Sequence, residues 1–391
     1  MRYFFKYLLI YILLLTFSIS EIRAQDYKPK KFLFDGYLKF MQTIAYEDFE
    51  ETWLIDNLIH NRFNLRYYPG ERWKIAAGVR NRFFFGDFVK LSPDYADNIT
   101  ADPGFFDLSF NWIEGESYVL NTTIDRLYVN YQAGDFEATV GRQRINWGKN
   151  LIWNPNDLFN AYSYFDFDYE ERPGSDAVRL KYYTGYTSYA EMVYQLADSV
   201  EGMAFAGLYQ FNKWKYDIQL LGGLVRNEWV MGSGWSGNLG GGAFRGELSY
   251  FYNRNDTVTN RHQIVFSISG DYTFKNQLYA QLSIIFNSLG DTENIRFNEQ
   301  VFIGGTTAQN LTPSRTEIFG QVSYPFTPLF NGNFAAIVNP FDGSLFFGPG
   351  FTFSLKDNLE LLLFAQFFLG DENTQYGDLP NLLYWRFRWS F

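Results

Sequence analysis

Cysteine is absent from the 391 residues, and histidine occurs only at His60 and His262. Without cysteine there is no disulfide-stapled module, thiol catalyst, Cys-bound metal or lipid-anchored cysteine. Two histidines in separate stretches do not supply the spacing of a Ser-His-Asp site or a His-based zinc site. The sequence therefore reads as a non-enzyme with neither cofactor nor metal. A basic excess is missing as well. The net charge of −10 argues against a nucleic-acid partner, which would select basic surfaces. Beyond the first twenty residues no apolar run approaches the length of a spanning helix. The Gly-rich stretch 232–242 lacks the Lys-Ser/Thr of a phosphate loop, and no plug-sized domain precedes the first strand, as an energised receptor would need.

The first apolar run has a different meaning. Arg2 and Lys6 give a positive start, Tyr7 to about Ser20 is apolar, and Ala24 offers a small residue before Gln25. This is the layout of a secretory signal peptide, so residues 1–25 are set apart and 26–391 form one domain.

What is abundant is aromatic residues, 21% of the chain, in a sequence whose mean hydropathy is only −0.23. Two-residue alternation reconciles the two numbers, because a strand between unlike media is apolar on one face and polar on the other. Leu383, Trp385, Phe387, Trp389 and Phe391 share one face, while Tyr384, Arg386, Arg388 and Ser390 share the other. The pattern recurs in 57–68, 262–275, 277–287 and 315–326. It predicts strands at 32–45, 57–68, 72–84, 120–132, 135–144, 176–184, 187–196, 203–211, 214–226, 229–238, 243–253, 262–274, 277–287, 314–326, 332–340, 345–355, 359–369 and 382–391. The fold class is all-β, a closed antiparallel transmembrane β-barrel of about eighteen strands, with sixteen the alternative. Short turns at one end, longer polar loops at the other and an apolar outer face place it in lipid, in the bacterial outer membrane. Tyr67, Tyr68, Tyr131, Tyr182, Tyr183, Tyr209 and Trp214 beside the short turns read as the aromatic girdle. A soluble β-sandwich would not put large aromatics on the apolar face of nearly every strand.

The opposite parity collects bases: Lys39, Arg62, Arg66, Lys74, Arg80, Arg82, Arg126, Arg179 and Lys181, joined by Arg386 and Arg388 from the last strand. In a closed barrel these form a ladder along one side of the lumen, which would concentrate anions. Asp35, Glu137, Glu191, Glu247 and Glu317 share that parity, so internal pairing is the competing reading.

The third long loop, 145–175, carries Trp147, Trp153, Phe159, Tyr162, Tyr164, Phe165, Phe167 and Tyr169. So aromatic a loop must pack against something, and the barrel mouth is the natural place. Its acids Asp157, Asp166, Asp168, Glu170 and Glu171 would then face the ladder across a constriction. Spacing at Asp166, Asp168 and Glu170 also suits hard-oxygen cation ligands, though a solvated acidic loop is the commoner outcome. In the strand leading in, Phe136, Ala138 and Val140 face lipid, which would put Arg142 and Arg144 there too. Either the strand has left the hydrocarbon by Arg142, or a bulge at Gly141 re-aims it.

Gly141-Arg142-Gln143-Arg144-Ile145-Asn146-Trp147-Gly148, then Trp153-Asn154-Pro155-Asn156-Asp157 and Glu171-Arg172-Pro173-Gly174-Ser175-Asp176-Ala177, resemble a signature of porin-like outer-membrane barrels. More distantly they resemble the alginate-export porin superfamily. The resemblance implies an eighteen-stranded barrel with an arginine-rich lumen and passive passage of an anionic or polar solute. It offers no match to a polyuronate site. The reading is a porin-like channel for small polar or anionic solutes, and the alternative is a non-conducting barrel serving as scaffold or docking partner of a surface or secretion complex. Its partners are outer-membrane lipids, the solute and the assembly machinery, which would engage the closing strand at Phe391.

Overall fold

The computed structural model describes residues 31–47, 53–166, 168, 171–199, 202–293, 295 and 306–391. The expected signal peptide lies outside the described residues. The wall strands are β1 (Phe32–Tyr46), β2 (Leu54–Gly70), β3 (Trp73–Gly86), β5 (Tyr118–Ala133), β6 (Phe136–Gln143), β7 (Ser175–Tyr183), β8 (Tyr189–Gln195), β9 (Ala204–Lys213), β10 (Tyr216–Val225), β11 (Glu228–Leu239), β12 (Gly242–Asn253), β13 (His262–Thr273), β14 (Tyr279–Asn287), β15 (Thr316–Thr327), β16 (Phe330–Val338), β17 (Leu345–Lys356), β18 (Leu359–Leu369) and β19 (Asn381–Ser390). Each pairs antiparallel with its neighbours, and β19 pairs with β1 to close the ring. Among the described residues the wall therefore has eighteen strands, as the alternation predicts.

A further strand, β4 (Ser109–Gly115), belongs to the loop after β3 and was not expected. It pairs with the outer half of β5, residues 118–123, while β6 pairs only with residues 127–133. The sequence hid it because a seven-residue segment fits no wall alternation. β6, β7 and β8 are short, so β4 satisfies backbone groups of β5 that would otherwise form an open edge.

The outward side chains explain why the chain needs a membrane. Phe34, Leu38, Ile59, Leu65, Val140, Leu180, Met192, Phe205, Leu220, Met231, Leu282 and Trp389 are all exposed. In water so continuous an apolar surface would drive aggregation. In lipid it is the required outer face, and ring closure leaves no strand edge unpaired there. Tyr182, Tyr209 and Trp214 are exposed near the short turns. Tyr183 departs from the girdle: its hydroxyl donates to Glu137 at 3.1 Å inside the barrel, as its odd parity on β7 dictates.

At the seam, Gly36 and Phe391 exchange two backbone hydrogen bonds of 3.0 Å. The Phe391 ring lies 5.7 Å from Phe34. A Cβ on Gly36 would stand 3.0 Å from that ring and 2.1 Å from the Arg62 carbonyl. Glycine is there because the closing ring crosses the strand at that point.

Candidate functional site

The loop between β6 and β7 turns into the barrel, as its aromatic content predicts. Its first part is held by polar side chains and apolar rings of the wall. Trp147 donates from Nε1 to Glu191 on β8 at 2.8 Å, and its carbonyl accepts from Gln219 on β10 at 2.7 Å. Glu247 on β12 is fully buried and accepts three loop amides, those of Lys149, Asn150 and Asn156. Ser249 donates to the Pro155 carbonyl at 2.8 Å, and Ser267 to that of Trp153 at 3.0 Å. A Cβ on Gly234 would meet the Asn156 amide at 2.9 Å. The glycines of β11 thus make room for the loop. Trp153 then meets Phe319 edge-on, and Phe165 meets Phe346 at 5.0 Å between ring centres. Together these rings form the principal buried apolar cluster.

The second part of the loop meets the ladder, and here the expectation needs correction. The acids do not face the bases across a gap; two of them touch. Asp168 accepts from Lys39 at 3.1 Å and Arg386 at 3.0 Å, with His60 Nδ1 at 3.4 Å. Burial alone would raise the Asp168 carboxyl, but the His60 hydrogen bond and the charge of Lys39, with Arg386 adding, hold it well below the usual carboxylate range,. Glu171 accepts from the Tyr37 hydroxyl at 3.0 Å and lies 3.7 Å from Arg62. The physical reason is that opposite charges in a water-poor lumen gain most by contact. Asp157 is elsewhere, fully buried, and neither carboxylate oxygen has a hydrogen-bond partner among the described residues. Burial pushes its pKa up to about 7, against the pull of Arg144 and Arg172. Asp166 also lies in the loop, and Glu170 falls outside the described residues.

The remaining bases are taken up along the wall. Arg62 and Asp125, 2% and 3% exposed, form a two-point ion pair at 2.5 and 2.9 Å. Asp125 can do this because β5 bulges there, its register shifting opposite Gly78 and Val79, which strict parity missed. Arg66 pairs with Asp35, and Arg179 with Glu191 at 2.8 Å. Arg126 donates to the Asp125, Glu171 and Arg172 carbonyls and so fastens the returning loop. Arg82 donates to Asn121 at 2.8 Å, and Arg80 lies opposite Arg62 in the register. Arg388 stands over the Tyr37 ring at 4.8 Å, Lys74 over Tyr128 at 5.4 Å and Lys181 over Tyr189 at 3.6 Å. A cavity of about 330 Å³ remains beside Asp35, Arg62, Arg66, Lys74, Arg126 and Glu171.

In the family-like motif, Gly141 takes φ +115°, yet the pairing of β6 with β5 is unbroken and Arg142 stays opposite the exposed Leu127. The bulge alternative therefore does not occur. Arg142 keeps its outward side but is only 4% exposed, held by Asp176 at 2.7 Å and Asp102 at 2.5 Å. The loop after β3 supplies Asp102 and the Phe106 carbonyl and roofs the charge away from lipid. Gln143 turns to the Thr139 and Ala177 carbonyls. Gly148 and Trp147 carry the loop into the lumen, with the Gly148 amide bonded to Asn146.

Residues not singled out from sequence include Tyr37 and Asp125, while His60 was weighed only for catalysis or zinc and Glu247 only as a competing acid. Glu247 carried one signal, a carboxylate of lumen parity next to the Gly-rich strand. Asp125 carried none, because the bulge that turns it inward leaves no trace in the alternation.

No family model and no curated protein matches the chain. Solved structures do. OprD from Pseudomonas aeruginosa aligns with a TM-score of 0.57 at 9% identity, covering 92% of this chain and 93% of that one. Acinetobacter baumannii OccAB2 aligns at 0.57 and 8% identity, covering 92% and 98%. OccAB4 from the same organism aligns at 0.55 and 10%, covering 93% and 100%. At such identities the likeness is one of fold, and it gives the alginate-export resemblance no support. The chain has the architecture of the porin-like outer-membrane β-barrels.

Proposed function

We propose that this chain is an outer-membrane channel for passive diffusion of small polar or anionic solutes. The observation that carries the reading is a closed eighteen-strand wall whose lumen holds a charged ladder and a cavity of about 330 Å³ beside it. Fixed charges at close quarters in a narrow lumen select among small ions and dipoles. Among the described residues neither histidine is placed for catalysis. His60 is enclosed by Asp168 and the Tyr37 ring, and His262 hydrogen-bonds Tyr250 at the exposed end of β13.

One observation favours the rival reading of a non-conducting scaffold: the loop contacts strands from β8 round to β5 and occupies much of the lumen. Planar-bilayer recording of the purified protein separates the two. Stable unitary steps support the channel, and current no greater than background would sink it. The polyuronate class is not carried forward. We propose also that assembly machinery engages the strand ending at Phe391, whose ring packs on Phe34 and Phe63 at the seam.

A further inference from the structure

Tyr37 and Lys39 lie two residues apart on one face of β1, and each anchors one acid of the inward loop. At Lys39 the wall presents an ammonium, the Arg386 guanidinium and the His60 ring around the Asp168 carboxylate. At Tyr37 it presents a hydroxyl, with Arg62 at 3.7 Å, to the Glu171 carboxylate. Lys39 and Arg388 also stand over the Tyr37 ring, at 4.6 and 4.8 Å. His60 is 2% exposed, and its Nε2 has no partner among the described residues. The wall thus holds two preformed anion positions, on side chains whose backbone positions are about 7 Å apart, at two residues of strand rise.

We propose that Asp168 and Glu171 are built-in occupants of a dianion site on the wall, and that the solute recognised there is a diacid long enough to reach both positions at once. This inference rests on the channel reading and names its solute class. A free diacid competes with the loop carboxylates, since both satisfy the same buried donors and such donors are costly to leave unpaired. A monoacid fills one position and leaves the other to the loop. A diacid too short to span both does no better. No covalent step is involved.

The test uses the full mature protein in planar bilayers in KCl. It reads the concentration of acetate, succinate, adipate or pimelate that halves the current. Adipate and pimelate, whose extended chains are comparable with that backbone spacing, are expected to block at concentrations at least fivefold lower than succinate or acetate. Neutralising the occupants with Asp168→Asn plus Glu171→Gln is expected to lower the adipate concentration at least tenfold and to keep the chain-length order. Equal block by all four acids, or an unchanged adipate concentration in the variant, would overturn the inference. Calorimetric titration of the wild-type protein in detergent with the same four acids gives a second readout that needs neither the variant nor conduction. The same order supports the site, and a flat series refutes it. Absence of current in the wild type would count against the channel reading, while the titration would still decide the site.

Discussion

From Trp147 to Phe165 the inward loop is tied to the wall by its own amides and indole N–H, by polar side chains that include Glu191 and Glu247, and by ring edges. At Asp168 and Glu171 it is tied chiefly by charge. The first attachment buries its partners with every loop amide at Glu247 satisfied, so dissolved salt has little access to it. The second pairs loop acids with bases that are mostly buried, and its Glu171 and Arg62 line the 330 Å³ cavity, where a competing anion can arrive. The same loop is therefore a fixed brace on one side and an exchangeable counter-charge on the other. Net lumen charge cannot be read from the ladder alone, because the loop carries part of its neutralisation.

The comparison can be broken first at Glu247. Replacing it with leucine leaves three buried amides without an acceptor, a cost on the order of 3–6 kcal/mol. Urea unfolding in detergent should show that loss, and an unchanged midpoint would mean the loop is held elsewhere. Next is the buried Arg62–Asp125 pair. Arg62→Leu alone should cost about 3–5 kcal/mol, and adding Asp125→Leu should recover most of it, since the lone buried charge is the main penalty. A double-mutant cycle measures the difference. A third change sharpens the contrast without breaking the fold. Lys74 and Lys181 meet rings rather than forming ion pairs in the structure, so Lys74→Glu plus Lys181→Glu should move the reversal potential toward cations with little effect on stability. The smallest effect is at Asp157. The folded state holds its proton up to about pH 7, whereas an ordinary aspartate releases it near 3.8. Stability should therefore fall as pH rises through that interval, and Asp157→Asn should flatten the slope.

The wall was largely legible in the sequence, because a two-residue period reports directly which medium each side chain meets. Leu38 and Lys39, or Phe387 and Arg388, needed no other information. The loop's inward course was legible for a similar reason: Trp147, Trp153 and Phe165 are too apolar for water. The pairing inside the lumen was not. Lys39 and Asp168 are 129 residues apart, and nothing local says that they touch rather than face each other. The Asp125 bulge and the β4 roof over Arg142 escaped for the opposite reason, being short local departures from a regular period.

Quenching of the ladder by loop acids is the central feature of the conducting pore. Its most direct test is the reversal potential in a KCl gradient, measured for the wild type and for Asp168→Asn plus Glu171→Gln. The expected result is a weakly selective wild-type channel and a variant shifted clearly toward anions. Identical reversal potentials in the two proteins would contradict it.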